Sequence, residues 1–445
     1  MELRKSRYTF LLKDKGTFLV YNSSSNNFWK INENVYNLLN ENESFDIGKM
    51  TFEEAEKDLI SHLHQFRLLT TFEEDESISE EFRLKYLAQS FSKESLNLTI
   101  APTISCNLCC PYCFEESKPT ARMDDEVCRQ LVDFIKKHSL AKELRVTWFG
   151  GEPLLCIDVI MHLIREFRKL DTPQLKYQEI ITNATLLIGD NLNLFENNNI
   201  NAIQVTFDGV KEHHDKKRVS PSGIGTFESI MENVDSFIDK FPDITIKLRV
   251  NIDKTNADDF VTINDYFCKK YPHKRNLFVY PAALKACSLV SKDSPFLCNA
   301  ELADLYSKYM AKGLMVSYPR FSYYGCGANM LSNYVVGPQG ELYKCWQDLG
   351  IPSKIIGNIT LDNFSNELLI HKYMLHGSHM WNNDCLECPL MPICDSNCAN
   401  DRIENTFNKG NYDLCSVYKE NDYKFLKEKL INFYHYITTQ KQRTL

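Results

Sequence analysis

Ten of the sixteen cysteines in this 445-residue chain fall into two tight spacing patterns, and cysteines so spaced are candidates for metal ligation. The first is Ser105-Cys106-Asn107-Leu108-Cys109-Cys110-Pro111-Tyr112-Cys113-Phe114-Glu115, directly after an apolar, strand-like run. Read as Cys106, Cys110 and Cys113, it puts three thiolates on one loop. Three suit a four-iron cluster with one iron left open, able to chelate a small molecule and pass it an electron. Cys109 allows a second register, Cys106, Cys109 and Cys113. A zinc loop is the plainer alternative, although zinc sites are usually closed by four ligands in paired units. The second pattern runs from Cys326 through thirteen residues to Gly340 and four more to Cys345. It resumes at Cys385, with Cys388, Cys394 and Cys398 at spacings of two, five and three residues, and ends at Cys415. Zinc could also close the 385–398 group. Cys128, among Val127, Leu131, Phe134 and Ile135, and Cys268, after Tyr266 and Phe267, read as small core residues.

The Cys106 loop, with aromatic Tyr112 before its last cysteine, resembles the signature of the radical S-adenosylmethionine (radical SAM) superfamily. The second pattern, Gly340 included, resembles the seven-cysteine SPASM extension of that superfamily's peptide- and protein-modifying members. The resemblance selects Cys106, Cys110 and Cys113 as ligands of a [4Fe-4S] cluster that cleaves S-adenosylmethionine to methionine and a 5'-deoxyadenosyl radical. It implies two auxiliary [4Fe-4S] clusters, one on Cys326, Cys345 and Cys398, the other on Cys385, Cys388, Cys394 and Cys415. Seven thiolates leave the first of these open at one iron or dependent on a ligand from elsewhere, with Cys287 and Cys298 available. The resemblance also places Tyr112 and Phe114 at the cofactor. Gly150-Gly151-Glu152-Pro153 would take its ammonium, since glycines admit close backbone approach and carbonyls and a carboxylate accept hydrogen bonds. Asn183, in Thr182-Asn183-Ala184-Thr185, would meet the ribose, Thr206 of Thr206-Phe207-Asp208-Gly209 would line the site, and Arg218 would meet the methionine carboxylate. Turn formation and a surface ion pair are the bland alternatives at these positions. His213 and His214 read as solvated, and Arg249 and Asn251 stay open between cavity and core.

These groups need elements to hold them. Between residue 96 and about 280, strand-like runs at 96–102, 143–149, 177–182, 202–207, 245–250 and 277–280 alternate with helical patterns at 124–138, 157–170, 190–197, 227–241 and 257–271. Strands alternating with helices imply a parallel sheet, and the superfamily's fold is a partial (β/α)6 TIM-like barrel, an α/β architecture. Cys106, Gly150, Asn183 and Asp208 all fall at C-terminal strand ends, where barrels of this kind place their chemistry. Upstream, 8–12, 17–21 and 27–31 read as three short strands. A capping box at Thr51 and Glu54 opens a helix with Phe52, Ala55, Leu59, Leu63 and Phe66 on one side. The acidic stretch 72–82 reads as a linker. Residues 1–90 thus resemble the winged-helix peptide-recognition module of peptide-modifying members, 91–300 the barrel, and 301–445 the SPASM domain.

Composition narrows the function class. At roughly 150 residues per domain the length suggests about three domains. A 43% hydrophobic, 25% charged chain with 17 Gly and 15 Pro is neither disordered nor low-complexity. Its net charge of -8 and lack of a basic stripe argue against nucleic acid. No apolar run approaches the ~18 residues of a membrane helix, and the sequence reads as soluble and cytoplasmic. The resemblance implies a maturase that oxidatively cross-links a ribosomally made precursor peptide by a thioether, carbon-carbon or related bond, the first 90 residues binding its leader as an added strand. An anaerobic sulfatase maturase, forming formylglycine, is the alternative. Those enzymes begin their barrel near the N-terminus and carry an aspartate after the cysteine matching Cys345, where this chain has 105 residues before Cys106 and Trp346. Asp348 is nearby but out of register. A cluster-bearing electron carrier or zinc scaffold is the third possibility, disfavoured by GGEP and the polar strand ends. A flavodoxin or ferredoxin is the implied reductant.

Overall fold

The computed structural model describes every residue except 1, 42–43, 47–53, 114–120, 139, 285–294, 324, 362, 396–397 and 444–445. Phe114, Cys287, Thr51 and Phe52 therefore lie outside the described residues, and so does the capping box placed at Thr51. The chain divides into two compact units, one of residues 1–90, 298–326 and 376–445, the other of 91–297 and 327–375. The stretch 301–445 is thus shared between them. Among the described residues no helix is long and apolar enough to cross a membrane.

In the first unit the strands β1 (Glu2–Lys5), β2 (Thr9–Asp14), β3 (Thr17–Asn22), β4 (Asn27–Ile31), β5 (Ser44–Asp46) and β6 (Leu69–Thr70) form two antiparallel sheets, ordered β5-β1-β6 and β2-β3-β4. Lys15 and Gly16 join β2 to β3 with φ of 43° and 79°, the two left-handed residues that a tight hairpin turn with the sheet's twist requires. The acidic stretch expected as a linker is instead the start of a helix, Phe72–Ser90. Thr71 and Glu74 cap it reciprocally, the Glu74 N–H donating to Thr71 Oγ1 (3.2 Å) and the Thr71 N–H to Glu74 Oε2 (2.8 Å). Its buried face includes Asp75, Ile78, Phe82 and Tyr86. Asp75 is tied down by Ser6 Oγ (2.8 Å), Thr70 Oγ1 (2.8 Å) and the Arg7 N–H (2.9 Å), so a carboxylate that looks solvated in the sequence is a buried anchor.

Residues 1–90 share their cores with the C-terminal segment of the same unit. Phe10, Leu12, Leu19 and Tyr21 pack with Met310, Leu390, Ile393, Leu426 and Leu430. Tyr8, Ile78, Phe82 and Tyr86 pack with Met380 and Met391. Full burial of side chains of this size contributes ~2 kcal/mol each, so these strands and the segment carrying Cys385 to Cys415 stabilise one another.

The second unit is built on one sheet, ordered β12-β11-β10-β9-β8-β7-β13-β14-β15. Its six parallel strands are β7 (Ser95–Ile100), β8 (Glu143–Trp148), β9 (Gln174–Thr182), β10 (Ala202–Phe207), β11 (Thr245–Ile252) and β12 (Leu277–Ala283). Parallel neighbours need crossovers, supplied by helices Asp125–Lys137, Ile157–Phe167, Phe227–Lys240 and Asp259–Lys270. The helix expected over 190–197 is shorter, a 3-10 turn Gly189–Leu192 running into Asn193–Glu196. A helix not foreseen, Lys211–Lys217, follows β10. The sheet is the partial (β/α)6 arrangement, extended beyond β7 by β13 (Asn333–Val336), which pairs in parallel with it, and by the antiparallel β14 (Glu341–Tyr343) and β15 (Gly357–Asn358). The segment leading to Cys345 is therefore part of the barrel sheet.

Candidate active site

The loops at the C-terminal ends of β7, β8 and β9 are fastened to one another by backbone. The Gly151 N–H donates to Thr103 O (3.2 Å) and the Glu152 N–H to Ser105 O (2.9 Å). A Cβ on Gly150 would lie closer than 3.0 Å to Thr103 O, and one on Gly151 closer than that to the carbonyl oxygens of Ile104 and Ser105. The glycines thus admit close approach, but to the loop that carries Cys106. The Glu152 carboxylate, expected to face an ammonium, is fully buried and receives Leu154 N–H (3.0 Å), Thr182 Oγ1 (2.8 Å) and Asn183 N–H (2.8 Å). These bonds lock the end of β8 to the end of β9. Asn183 Nδ2 then donates to Asn107 Oδ1 (2.8 Å) and lies 3.8 Å from Cys106 Sγ. Pro153 opens the 3-10 turn Pro153–Cys156 beneath.

Cys106, Cys110 and Cys113 lie within electrostatic range of one another. Cys106 has an accessible face, yet the surrounding protein desolvates it and pushes its thiol up to about 12, with Glu152, Cys110 and Cys113 adding to the rise. Burial also raises Cys110, while the Arg218 guanidinium pulls it down. Cys109 is exposed, its N–H bonded to Val219 O (2.8 Å). Beside Cys110, the Tyr112 hydroxyl donates to Asp208 Oδ2, and Arg218 Nη1 reaches Tyr112 Oη (3.1 Å) and Asp208 Oδ2 (3.5 Å). Burial raises Tyr112, and Asp208 adds to this against the opposing Arg218. Arg218 and Asp208 are buried, so no surface ion pair forms. Asp208 Oδ1 and Arg218 Nε have no hydrogen-bond partner, one buried acceptor and one buried donor. That pair matches the ammonium and carboxylate of an amino-acid moiety. Thr206 sits in β10 opposite Arg249 of β11, whose Nε donates to the buried Asn251 Oδ1 (2.8 Å).

His214 is not solvated, as its polar neighbours suggest, but fully buried against Phe207 and Phe227. Its Nδ1 accepts the Asp208 N–H (3.3 Å), which leaves the ring proton on Nε2, 3.3 Å from Thr226 Oγ1. Burial, aided by Arg218, lowers it to about 4. The unfolded imidazole takes a proton near pH 6.5 and the folded one only near 4, so its contribution is complete above 6.5 and lost as pH falls toward 4. The stability gap between the native chain and His214→Asn should narrow by roughly 3 kcal/mol across that window. Urea unfolding at stepped pH checks it, and a constant gap would contradict the buried neutral ring. His213 is half-buried, its Nδ1 2.6 Å from Asp259 Oδ2.

The model of the radical SAM superfamily matches residues 100–267, the segment that holds all these groups. The chain carries a radical SAM domain. It is 27% identical over 362 residues to a cysteine-type anaerobic sulfatase-maturating enzyme of Clostridium novyi, covering 73% of this chain and 94% of that one. It is 29% identical over 143 residues to the serine-type enzyme of Bacteroides thetaiotaomicron, or 29% of this chain and 33% of that one. Among solved structures, native anSMEcpe with bound AdoMet and the Kp18Cys peptide superposes with a TM-score of 0.57 at 20% identity, over 79% of this chain and 99% of that one. Streptococcus suis SuiB bound to S-adenosylmethionine gives 0.50 at 17%, over 89% and 96%, and at these identities both likenesses speak for the fold. Radical SAM domains use a [4Fe-4S] cluster and S-adenosylmethionine, which together supply a carbon-centred radical able to abstract hydrogen. The thiol group at Cys106, Cys110 and Cys113 and the orphaned Asp208–Arg218 pair beside it fit them. This chain's own residues hold the cysteine loop rigid through Gly150 to Glu152, and keep Arg218 charged and aimed by Tyr112 and Asp208.

The remaining cysteines divide by unit. Cys345, at the end of β14, is buried, and Trp346 after it stacks on Phe149 at the end of β8 (5.4 Å, 28°). Asp348 is buried, and its Oδ2 accepts the Tyr373 hydroxyl (2.6 Å). In the first unit burial raises the Cys385 and Cys388 thiols, Cys415 adds to both and Cys385 adds to that of Cys388, with Lys419 beside them. Cys394 lies near Tyr418, and Cys326 near the Tyr86 phenol. Cys298 caps the helix Asn299–Ala311, and Asn299 Nδ2 donates to Cys415 O (2.9 Å). Among the described residues no three His, Cys, Asp or Glu side chains converge on a single-ion site. Cys128 is buried as expected, but Cys268 is exposed, one residue past the inward Phe267 on its helix.

Proposed function

We propose that the chain is a radical SAM maturase acting on a ribosomally made precursor peptide, with auxiliary clusters on Cys326, Cys345 and Cys398 and on Cys385, Cys388, Cys394 and Cys415. The observation that carries this reading is the turn after Cys345. Sulfatase maturases place an aspartate base there; this chain has Trp346, half-exposed and stacked on Phe149, and the nearby Asp348 is committed to Tyr373. Residues 1–90 support it with antiparallel sheets in which, among the described residues, β2 and β4 each pair on one side only, an edge to which a leader could add as a strand. The 27% identity to sulfatase-maturating enzymes over 94% of their length supports the second reading, formylglycine formation.

The test incubates anaerobically reconstituted full chain with S-adenosylmethionine, dithionite or reduced flavodoxin, and two peptides, one leader-bearing precursor with a cysteine in its core and one sulfatase-type cysteine peptide. Mass spectrometry should find loss of two hydrogens from the precursor at a rate at least about tenfold above any aldehyde formation on the other. Removing the leader should abolish the first reaction. Aldehyde formation as the faster reaction would establish the sulfatase reading instead.

A further inference from the structure

We propose that Arg402 holds up the reduction potential of the auxiliary cluster on Cys385, Cys388, Cys394 and Cys415, from a position that also adjoins the ligand set of the other. This rests on the auxiliary-cluster reading above. Arg402 belongs to the helix Ala399–Phe407, which begins directly after Cys398, and its N–H donates to Cys398 O (3.3 Å). Its Nη2 reaches Leu414 O (3.4 Å), the carbonyl before Cys415. One residue therefore joins Cys398 of one proposed set to Cys415 of the other through its main chain and its guanidinium. The side chain is 6% exposed. It also hydrogen-bonds Cys385, and it lies in the neighbourhood of Tyr86, which in turn neighbours Cys326.

Reduction adds one negative charge to a cluster. A cation and an N–H donor at its cysteine sulfurs stabilise the reduced form and raise the potential. Burial decides which cation matters. Lys419 stands near Cys415, Cys388 and Cys385 but is exposed, where water and salt screen it, whereas Arg402 acts through protein of low dielectric. Guanidinium also suits a fixed, forked donor geometry better than ammonium.

The experiment uses the full chain with Cys106, Cys110 and Cys113 each changed to Ala, so that only auxiliary clusters give signals. Iron analysis comes first. About eight irons per chain sustains the auxiliary reading; absence of iron removes that reading and this proposal with it. Dithionite then supplies the electron in a redox titration followed by electron paramagnetic resonance. Arg402→Gln should make reduction of one cluster at least tenfold less favourable, 59 mV for one electron. Arg402→Lys should recover part of the shift, and Lys419→Gln should change it severalfold less. An unchanged midpoint in Arg402→Gln, or equal shifts in the Gln and Lys variants, would overturn the proposal. Should Arg402→Gln fail to hold iron, pulsed resonance of the reduced unsubstituted protein labelled with 15N-arginine decides. A nitrogen coupling that disappears in Arg402→Lys supports the assignment, and its absence in the unsubstituted protein refutes it.

Discussion

Cys110→Ala is expected to abolish 5'-deoxyadenosine formation, whereas Cys109→Ala leaves it within about twofold, the range of a surface substitution that breaks no buried contact. The two adjacent thiols have different surroundings. Cys110 shares the neighbourhood of Cys106 and Cys113, and burial raises it while Arg218 opposes that rise. Cys109 is exposed, and its only hydrogen bond named above is made by the main chain to Val219, which alanine preserves. Loss of Cys110 removes one of three thiolates from a cluster that has none to spare, so about four irons per chain should go with it. The measurement pairs iron analysis with chromatographic detection of the nucleoside after dithionite reduction. Equal loss in both variants would overturn this ligand register, and loss in Cys109→Ala alone would mean that the loop ligates in the other register, through Cys109.

The barrel was legible in the sequence because its signals are local. The run Ala202 to Phe207 alternates around a buried apolar set, and its bounds emerge unchanged in β10. Thiolate spacing is likewise a chain-local property, so the Cys106 loop could be placed after β7 from sequence. What stayed hidden depends on partners far along the chain. Asp75 looks solvated until Ser6, Arg7 and Thr70 are brought to it, which is why an acidic helix reads as a linker. His214 is flanked by charges in sequence, and only the fold sets it between Phe207 and Phe227. The same holds for the division into units. Nothing in residues 1–90 announces that Phe10 and Tyr21 will be covered by Leu426 and Leu430, or that 327–375 will extend the barrel sheet. The GGEP turn was read at the right strand end, but its glycines serve the cysteine loop, a close approach that no sequence pattern specifies.

That close approach makes Gly151→Ala the other large effect. A methyl group at position 151 would meet the carbonyl oxygens of Ile104 and Ser105 at less than 3.0 Å, and backbone has no flexible end with which to yield. Relief requires the 103–106 segment to move away, which breaks the Gly151 N–H bond to Thr103 O and the Glu152 N–H bond to Ser105 O. Moving Glu152 in turn releases Thr182 and Asn183, and with them the contact of Asn183 to Asn107. Each lost bond of this kind costs ~1 kcal/mol net and more where a buried partner is stranded, and the displaced group is the one that carries Cys106. Nucleoside formation is expected to fall at least about 100-fold, since a displacement of about 1 Å at a reacting centre suffices for that. Iron at the proposed auxiliary cysteines of the first unit should remain. Gly223→Ala serves as the control, because Gly223, unlike Gly151, has a left-handed φ (78°) but open space around its Cβ position, so its cost is conformational strain alone, ~1 kcal/mol, with cleavage retained. Native cleavage rates in Gly151→Ala would show that the cysteine loop tolerates displacement, and would return the GGEP glycines to the role of an ordinary turn.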